Sequence, residues 1–438
     1  MFVMTEQTQS LLFFLGAGLV WLVVIEASVR ARARQRLVDD IPTCKAHGVF
    51  LGLIELKGTA ESEHPFTSTL ADVACVYYHA SVQEHWRRTV TEVSRDSKGR
   101  SRVQTKVKTG WQEVASAREA GRFFLKDDTG AVRINPEDAK LEADLVFQEE
   151  AGPADALYYT KGPAGAIANS THRRRFTEYA IPLHTPIYVM GKAKLRDDAV
   201  APEVAADPDT PVFRISTKTE EEVSRGYAIA FWLMLLIGGA LASGTPLIHD
   251  AVLFDHATPD IAMLHATLIF LGLFTARWSM MAFNSLTALK NRADQAWHNI
   301  DVELKRRANL IPAITEISQS LAEHNQDLLQ AIATIRSNAT RFTEDKAQPI
   351  AEQLRVVGED YPELKANNQF QTLARAITDT EDRIAFARGY YNDVLAEHNE
   401  RIERVPDRFI APLAGMRHRA FFAVDAFIRE APHLELAE

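Results

Sequence analysis

The chain has 438 residues, with 49 Lys and Arg against 58 Asp and Glu and a formal net charge of −9. That length predicts two to four domains, and the acidic balance excludes a general nucleic-acid binder, whose binding domain is basic. With Cys44 and Cys75 as its two cysteines, the chain has neither a disulfide framework nor a cysteine-based zinc site.

Three segments are more apolar than a soluble core requires. A membrane span needs ~20 mainly apolar residues, and residues 10–29, 227–248 and 261–283 meet this with their interfacial flanks. Residues 1–9 carry no Lys or Arg, whereas Arg30, Arg32, Arg34 and Arg36 come directly after the first span. A signal peptide has the opposite polarity, so the segment reads as an anchor. The basic linker 30–44 places the region beyond the first span in the cytoplasm and residues 1–9 outside, by the positive-inside rule. The loop 249–260 has three Asp and no Lys or Arg, while Lys290, Arg292, Lys305, Arg306 and Arg307 come after the third span. Both agree with that orientation, which leaves the sequons at Asn169 and Asn338 inside. Thr258-Pro259-Asp260 reads as a helix start, with a Thr cap and Pro in the first turn. Gly239 and Ser243 form a small-xxx-small pair in the second span.

Residues 45–217 change to period-two patterning, which predicts a small β-rich barrel or sandwich. Residues 49–54 read as a buried strand; Val76, Tyr78, Ala80 and Val82 alternate, as do Val103, Thr105 and Val107 after a turn around Gly99. Phe123-Phe124-Leu125, Asp127-Asp128-Thr129-Gly130, then Val132 and Ile134 predict a hairpin with Asp/Gly turn chemistry. Residues 188–189 and 212–215 form another strand pair, and 152–170 a loop. Asp127, Asp128 and Glu55 are candidate carboxylates, better explained by turns; His64, His79, His85 and His172 lack metal-ligand spacing. His172-Arg173-Arg174-Arg175 is a candidate anion site or a solvated loop, and Cys75 a small buried hydrophobe.

The run Gly58, Pro65, Ser68, Ala74-Cys75-Val76-Tyr77-Tyr78, with residues 124–130 and Glu178, Pro182, Tyr188 and Gly191 beyond it, resembles the GIDE module of mitochondrial RING ubiquitin ligases. The resemblance implies a module held between membrane spans. In those ligases catalysis belongs to a RING finger with eight paired Cys/His ligands, and this chain has no CxxC.

The third span runs into an amphipathic stripe with no Gly or Pro between Thr275 and Leu310: Leu286, Leu289, Ala293, Trp297, Ile300, Leu304, Ala308, Ile311 and Ile314. Residues 284–338 predict a first bundle helix kinked at Pro312; 349–357 predict a connector helix. Phe370, Leu373, Ile377, Thr380, Ile384, Ala387, Tyr391, Val394, His398 and Ile402 give a heptad-like stripe on a last helix, which Asn367 or Asn368 caps. The fold class is therefore a multidomain α+β membrane protein, in which an antiparallel long-helix bundle (284–404) continues the third span. Trp297 and Tyr391 read as core, and His398 as a hydrogen-bonded histidine rather than a pH switch. Residues 283–292, 296–312, 361–370 and 380–406 resemble the LemA signature, with Ala313 where that family usually has Asn. The resemblance implies a bacterial source, hence the inner membrane, and brings no established enzymatic activity.

An antiparallel bundle returns the tail, 405–438, to the bilayer. Arg417, His418, Arg419, Phe421 and Phe422 are candidate lipid or interface contacts; capping of the bundle core by the two Phe is the alternative. No catalytic residue, cofactor or metal is expected, and the expected partners are the lipid bilayer, further copies of the chain and a cytoplasmic protein. These features predict a non-enzymatic membrane scaffold. The alternatives are a sensor relaying a signal from the β module through the continuous helix, and a ligase-like enzyme, disfavoured without RING ligands.

Overall fold

The structure, a computed structural model, describes residues 6–95, 101–196, 201–208, 210, 212–253, 260–321, 330, 333–334, 350–361 and 366–422. It is α+β and divides into two units: a discontinuous helical unit, 1–42 with 220–438, and a β unit, 43–219.

Helix α1 (Glu6–Asp39) runs through the stretch read as a basic linker. Nothing between the apolar run and Pro42 breaks a helix, so the arginines occupy its last turns. Helices α3 (Glu220–Leu253) and α4 (Asp260–Leu321) come after the β unit. All three are long and apolar enough to cross a membrane. They pack through Trp21, Ile25, Val29, Ala242, Ala266 and Phe270. Gly238 allows the close approach of α4, since a Cβ there would meet Phe270 at 2.5 Å. Ser243 of the small-residue pair is used inside the chain, bonding the Thr267 hydroxyl at 3.0 Å. The turn at Gly99, the helix start at Thr258-Pro259 and residues 322–329 and 335–349, which include most of the expected end of the first bundle helix, lie outside the described residues.

Helix α4 has 62 residues and continues through Pro312. Leu286, Leu289, Ala293, Ile300, Ile311 and Ile314 are buried along it, but Trp297 is 46% exposed, contrary to the expectation of a core residue. Its ring lies at the bundle surface, 5.4 Å from that of buried Tyr391. The short helix α5 (Ile350–Asp360) starts on the Glu381 carboxylate, which accepts the Ile350 and Ala351 amides at 2.8 and 3.1 Å. Helix α6 (Asn368–Glu403) is capped by the Asn367 side chain, which accepts from Gln369 and Phe370. Its predicted stripe is buried from Phe370 to His398, except that Leu373 is half-buried. A cluster of Ile311, Ile314, Ile350, Leu354, Phe370 and Ile377 closes this end of the bundle.

In the β unit, β2 (Gly52–Glu61), β6 (Phe123–Lys126), β7 (Ala131–Ile134), β12 (Pro202–Ala205) and β11 (Pro186–Leu195) pair in that order, and β11 returns to β2, closing a five-stranded barrel. Strands β1 (Thr43–Cys44), β13 (Arg214–Ser216) and β8 (Lys140–Glu142) extend its sheet. The strand expected from residue 49 begins only at Gly52, as β2. A 3-10 turn (Ala46–Gly48) precedes it, Leu51 is exposed, and Gly52 sits at φ 138°. Val189 pairs with Ile215 as read from the sequence. At the predicted Asp/Gly turn, Asp127 accepts from the Thr129 and Gly130 amides at 2.7 and 3.0 Å. A second sheet holds β3 (Phe66–Thr67), β4 (Ala74–Arg95), β10 (Ser170–Pro182) and β9 (Asp144–Ala151), with β5 (Ser101–Ala120) also on β4 as a long ribbon. The expected loop 152–170 contains α2 (Ala156–Thr160), capped by Asp155.

Candidate functional site

In the β unit the acidic and basic candidates are structural. His172, Arg173, Arg174 and Arg175 lie on β10 rather than in a solvated loop. Arg174 is fully buried. Its guanidinium contacts Glu84 at 3.2 Å and donates to the Tyr158, Pro163 and Gly165 carbonyls at 2.7–2.9 Å. Arg173 and Arg175 share Glu150. Glu55 is buried and takes the Thr43 and Tyr188 hydroxyls at 2.7 and 3.0 Å. Asp128 pairs with Lys45 at 2.6 Å. Burial pushes the Cys75 thiol up to about 11, which leaves it protonated and unreactive at neutral pH. Among the described residues no group of three or more His, Cys, Asp or Glu is arranged to hold a metal ion.

In the helical unit, four buried charged residues meet at one place. Arg36 and Asp40 stand four residues apart at the end of α1; Arg401 is in the last turn of α6, and Asp407 opens the short helix α7 (Asp407–Ile410). All four are at most 4% exposed. Asp407 accepts from Arg36 at 2.7 Å and from Arg401 at 2.9 Å. Arg401 Nε reaches Asp40 at 3.0 Å, its Nη2 bonds the same carboxylate, and Arg292 of α4 donates to the Asp40 carbonyl at 2.9 Å. The Arg36 guanidinium lies 5.5 Å from the Trp278 ring, and among the described residues its Nε and Nη1 have no hydrogen-bond partner. Thus α1, α4, α6 and α7 meet on buried charge. Such a cluster adds little net stability over an apolar core, but losing one member strands a buried charge. It therefore fixes position more than it adds energy.

Past α7 the chain turns at Gly415, whose φ of 66° suits glycine, and lies against α4 and α6. The five tail candidates separate here. Arg419 pairs with Asp294 at 2.6 Å. Phe422 is half-buried, its ring 5.9 Å from that of Trp297 and 4.8 Å from the Arg388 guanidinium. Arg417 and Phe421 are exposed, and exposed His418 approaches Glu403 at 3.4 Å. His398 is fully buried and its Nε2 meets the Arg417 carbonyl at 3.1 Å. Burial lowers its pKa, opposed by that backbone bond; Arg419 and His418 lower it further and Asp294 raises it. Sequence reasoning missed Asp40, Arg401 and Asp407, and it placed Ile402 in the stripe where Arg401 is the buried residue. The available signal was a charge one turn after His398 in an otherwise apolar row.

The class this architecture defines is a membrane-compatible helical bundle interrupted by a barrel-containing β unit. Residues 296–436 match the model of the LemA family, and residues 91–246 match that of the GIDE family, described as E3 Ubiquitin ligase. The chain is thus similar to the GIDE family over one part of its length and to the LemA family over another. No curated protein and no solved structure matches it.

Proposed function

We propose that the protein is a non-enzymatic, multi-pass scaffold of a bacterial inner membrane, with its N-terminus outside and both units in the cytoplasm. The observation that carries this reading is α4, a 62-residue helix that passes without a break from an apolar run into the buried stripe of the LemA bundle. The ionic junction ties the end of α1 to the far end of α6, so the bundle is held to the anchoring helices at two places. A rigid connection of this kind transmits position, and the candidate carboxylates of the β unit, Glu55, Asp127 and Asp128, are engaged in structural bonds. The sensor reading draws on the same connection, with the β module as the input. A ligase activity is disfavoured, because with two cysteines in the chain no cysteine-paired RING can be built.

Topology is tested by cysteine labelling of the intact membrane, where Cys44 and Cys75 are both buried and give little background. A probe at Asp255 should react from outside and one at Ala347 should not; reaction at both, or at Ala347 alone, overturns the orientation. Self-assembly is part of the scaffold reading. A complex mass in mild detergent that stays at one chain over a range of concentrations would remove it.

A further inference from the structure

Residues 416–422 form no helix or strand, and side chains of α6 read their backbone. Asn399 donates to the Arg419 carbonyl at 2.9 Å and accepts its amide at 3.1 Å. Asn392 does the same for Phe422, at 2.9 and 2.8 Å. His398 adds the Arg417 carbonyl. The two asparagines are seven residues apart, about 10.5 Å along a helix axis, and Arg419 and Phe422 are three apart, about 10 Å in an extended chain. The register matches that of a strand running antiparallel to α6, and neither amide pair depends on the side chain it holds. Selectivity comes from two sites: Asp294 for the cation of Arg419, and Trp297 with Arg388 for the Phe422 ring. The intervening Ala420 and Phe421 are more open, with Phe421 exposed. Main-chain bonds that hold an extended segment, combined with pockets that read its side chains, are one recurring mode of peptide recognition.

We propose that this face of α4 and α6 is a peptide-recognition groove. Residues 417–422 are its resident ligand. Its exchange ligand is an extended segment of a partner protein carrying a basic residue and, three positions on, an aromatic one. The tail then acts as a built-in competitor, whose exposed residues leave it open to displacement.

The test uses the full chain in detergent and a fluorescent peptide of residues 413–422. In a chain carrying Arg419→Glu and Phe422→Ala the resident ligand is weakened, and the peptide should bind at least tenfold more tightly than to wild type. Adding Asn392→Ala and Asn399→Ala should remove that binding, and a peptide bearing the same Glu and Ala substitutions should not bind. In wild type, excess peptide should accelerate hydrogen exchange at the Arg419 and Phe422 amides, which displacement of the tail exposes. The proposal is overturned if the weakened chain keeps its helicity yet binds no peptide, or if binding survives loss of both asparagines. Unchanged exchange in wild type at saturating peptide also overturns it, and decides the question if the variant unfolds.

Discussion

Replacing Asp407 with alanine removes the acceptor shared by Arg36 and Arg401. Asp407 is 1% exposed, so water does not take its place, and Arg36, whose Nε and Nη1 have no hydrogen-bond partner among the described residues, loses its ion pair with Asp407. Arg401 retains Asp40. Breaking a buried pair from one side costs about 3–5 kcal/mol. At about 2–4 °C per kcal/mol for a unit of this size, the loss of helicity on heating the detergent-solubilised chain should shift down by roughly 6–20 °C. Asp407→Asn, which keeps one oxygen for a guanidinium, should shift less. The difference between wild type and Asp407→Ala should change little with added salt, because a buried pair is weakly screened. A shift below about 2 °C, or one that vanishes in high salt, would mean that solvent reaches the junction and that it does not fix the bundle.

His398 provides a pH test. Its folded-state pKa lies below the ordinary 6.5, so the unfolded chain takes up the proton first. Stability should be level above that value and fall as pH drops below it; the slope should flatten in His398→Gln when both are melted across that range. In the tail, Phe422→Ala should cost about 1–2 kcal/mol through lost apolar burial, and Phe421→Ala, 55% exposed, should cost a few tenths at most; equal losses would refute the docked arrangement. In the barrel, a Cβ at Gly58 would collide with the Lys126 carbonyl oxygen and stand 2.7 Å from Leu125 Cδ2. Gly58→Ala should therefore destabilise the β unit by about 1–3 kcal/mol, seen as a lower denaturation midpoint.

The long helices were legible because their signals are local. An uninterrupted apolar run, a three- and four-residue stripe and an asparagine cap each depend on neighbours a turn away. The Asp127 turn was legible for the same reason, since its acceptor and donors lie within three residues. Barrel closure was not legible, because β11 returns to β2 across more than a hundred residues and period-two patterning does not identify a partner. The junction was hidden by the same distance: Arg36 and Asp407 are 371 positions apart. Taken alone, each reads as an ordinary surface charge. Arg173–Arg175 misled in the opposite sense, since a run of like charge resembles solvated loop until Glu84 and Glu150 are placed beside it. Trp297 sits on the correct stripe and is nevertheless half-exposed, because the tail that covers its edge supplies one aromatic ring rather than a helix.

The same distance has a consequence for synthesis. Arg36 and Asp40 leave the ribosome with the first helix, whereas Arg401 and Asp407 emerge more than 360 residues later. At about 5–20 residues per second, the first helix waits roughly 20–75 s for its counter-charges. Throughout that interval Arg36 and Asp40 of the nascent protein lack the partners that later bury them, and the β unit has time to fold before the helical unit can close. A chain truncated before Arg401 would carry that mismatch permanently.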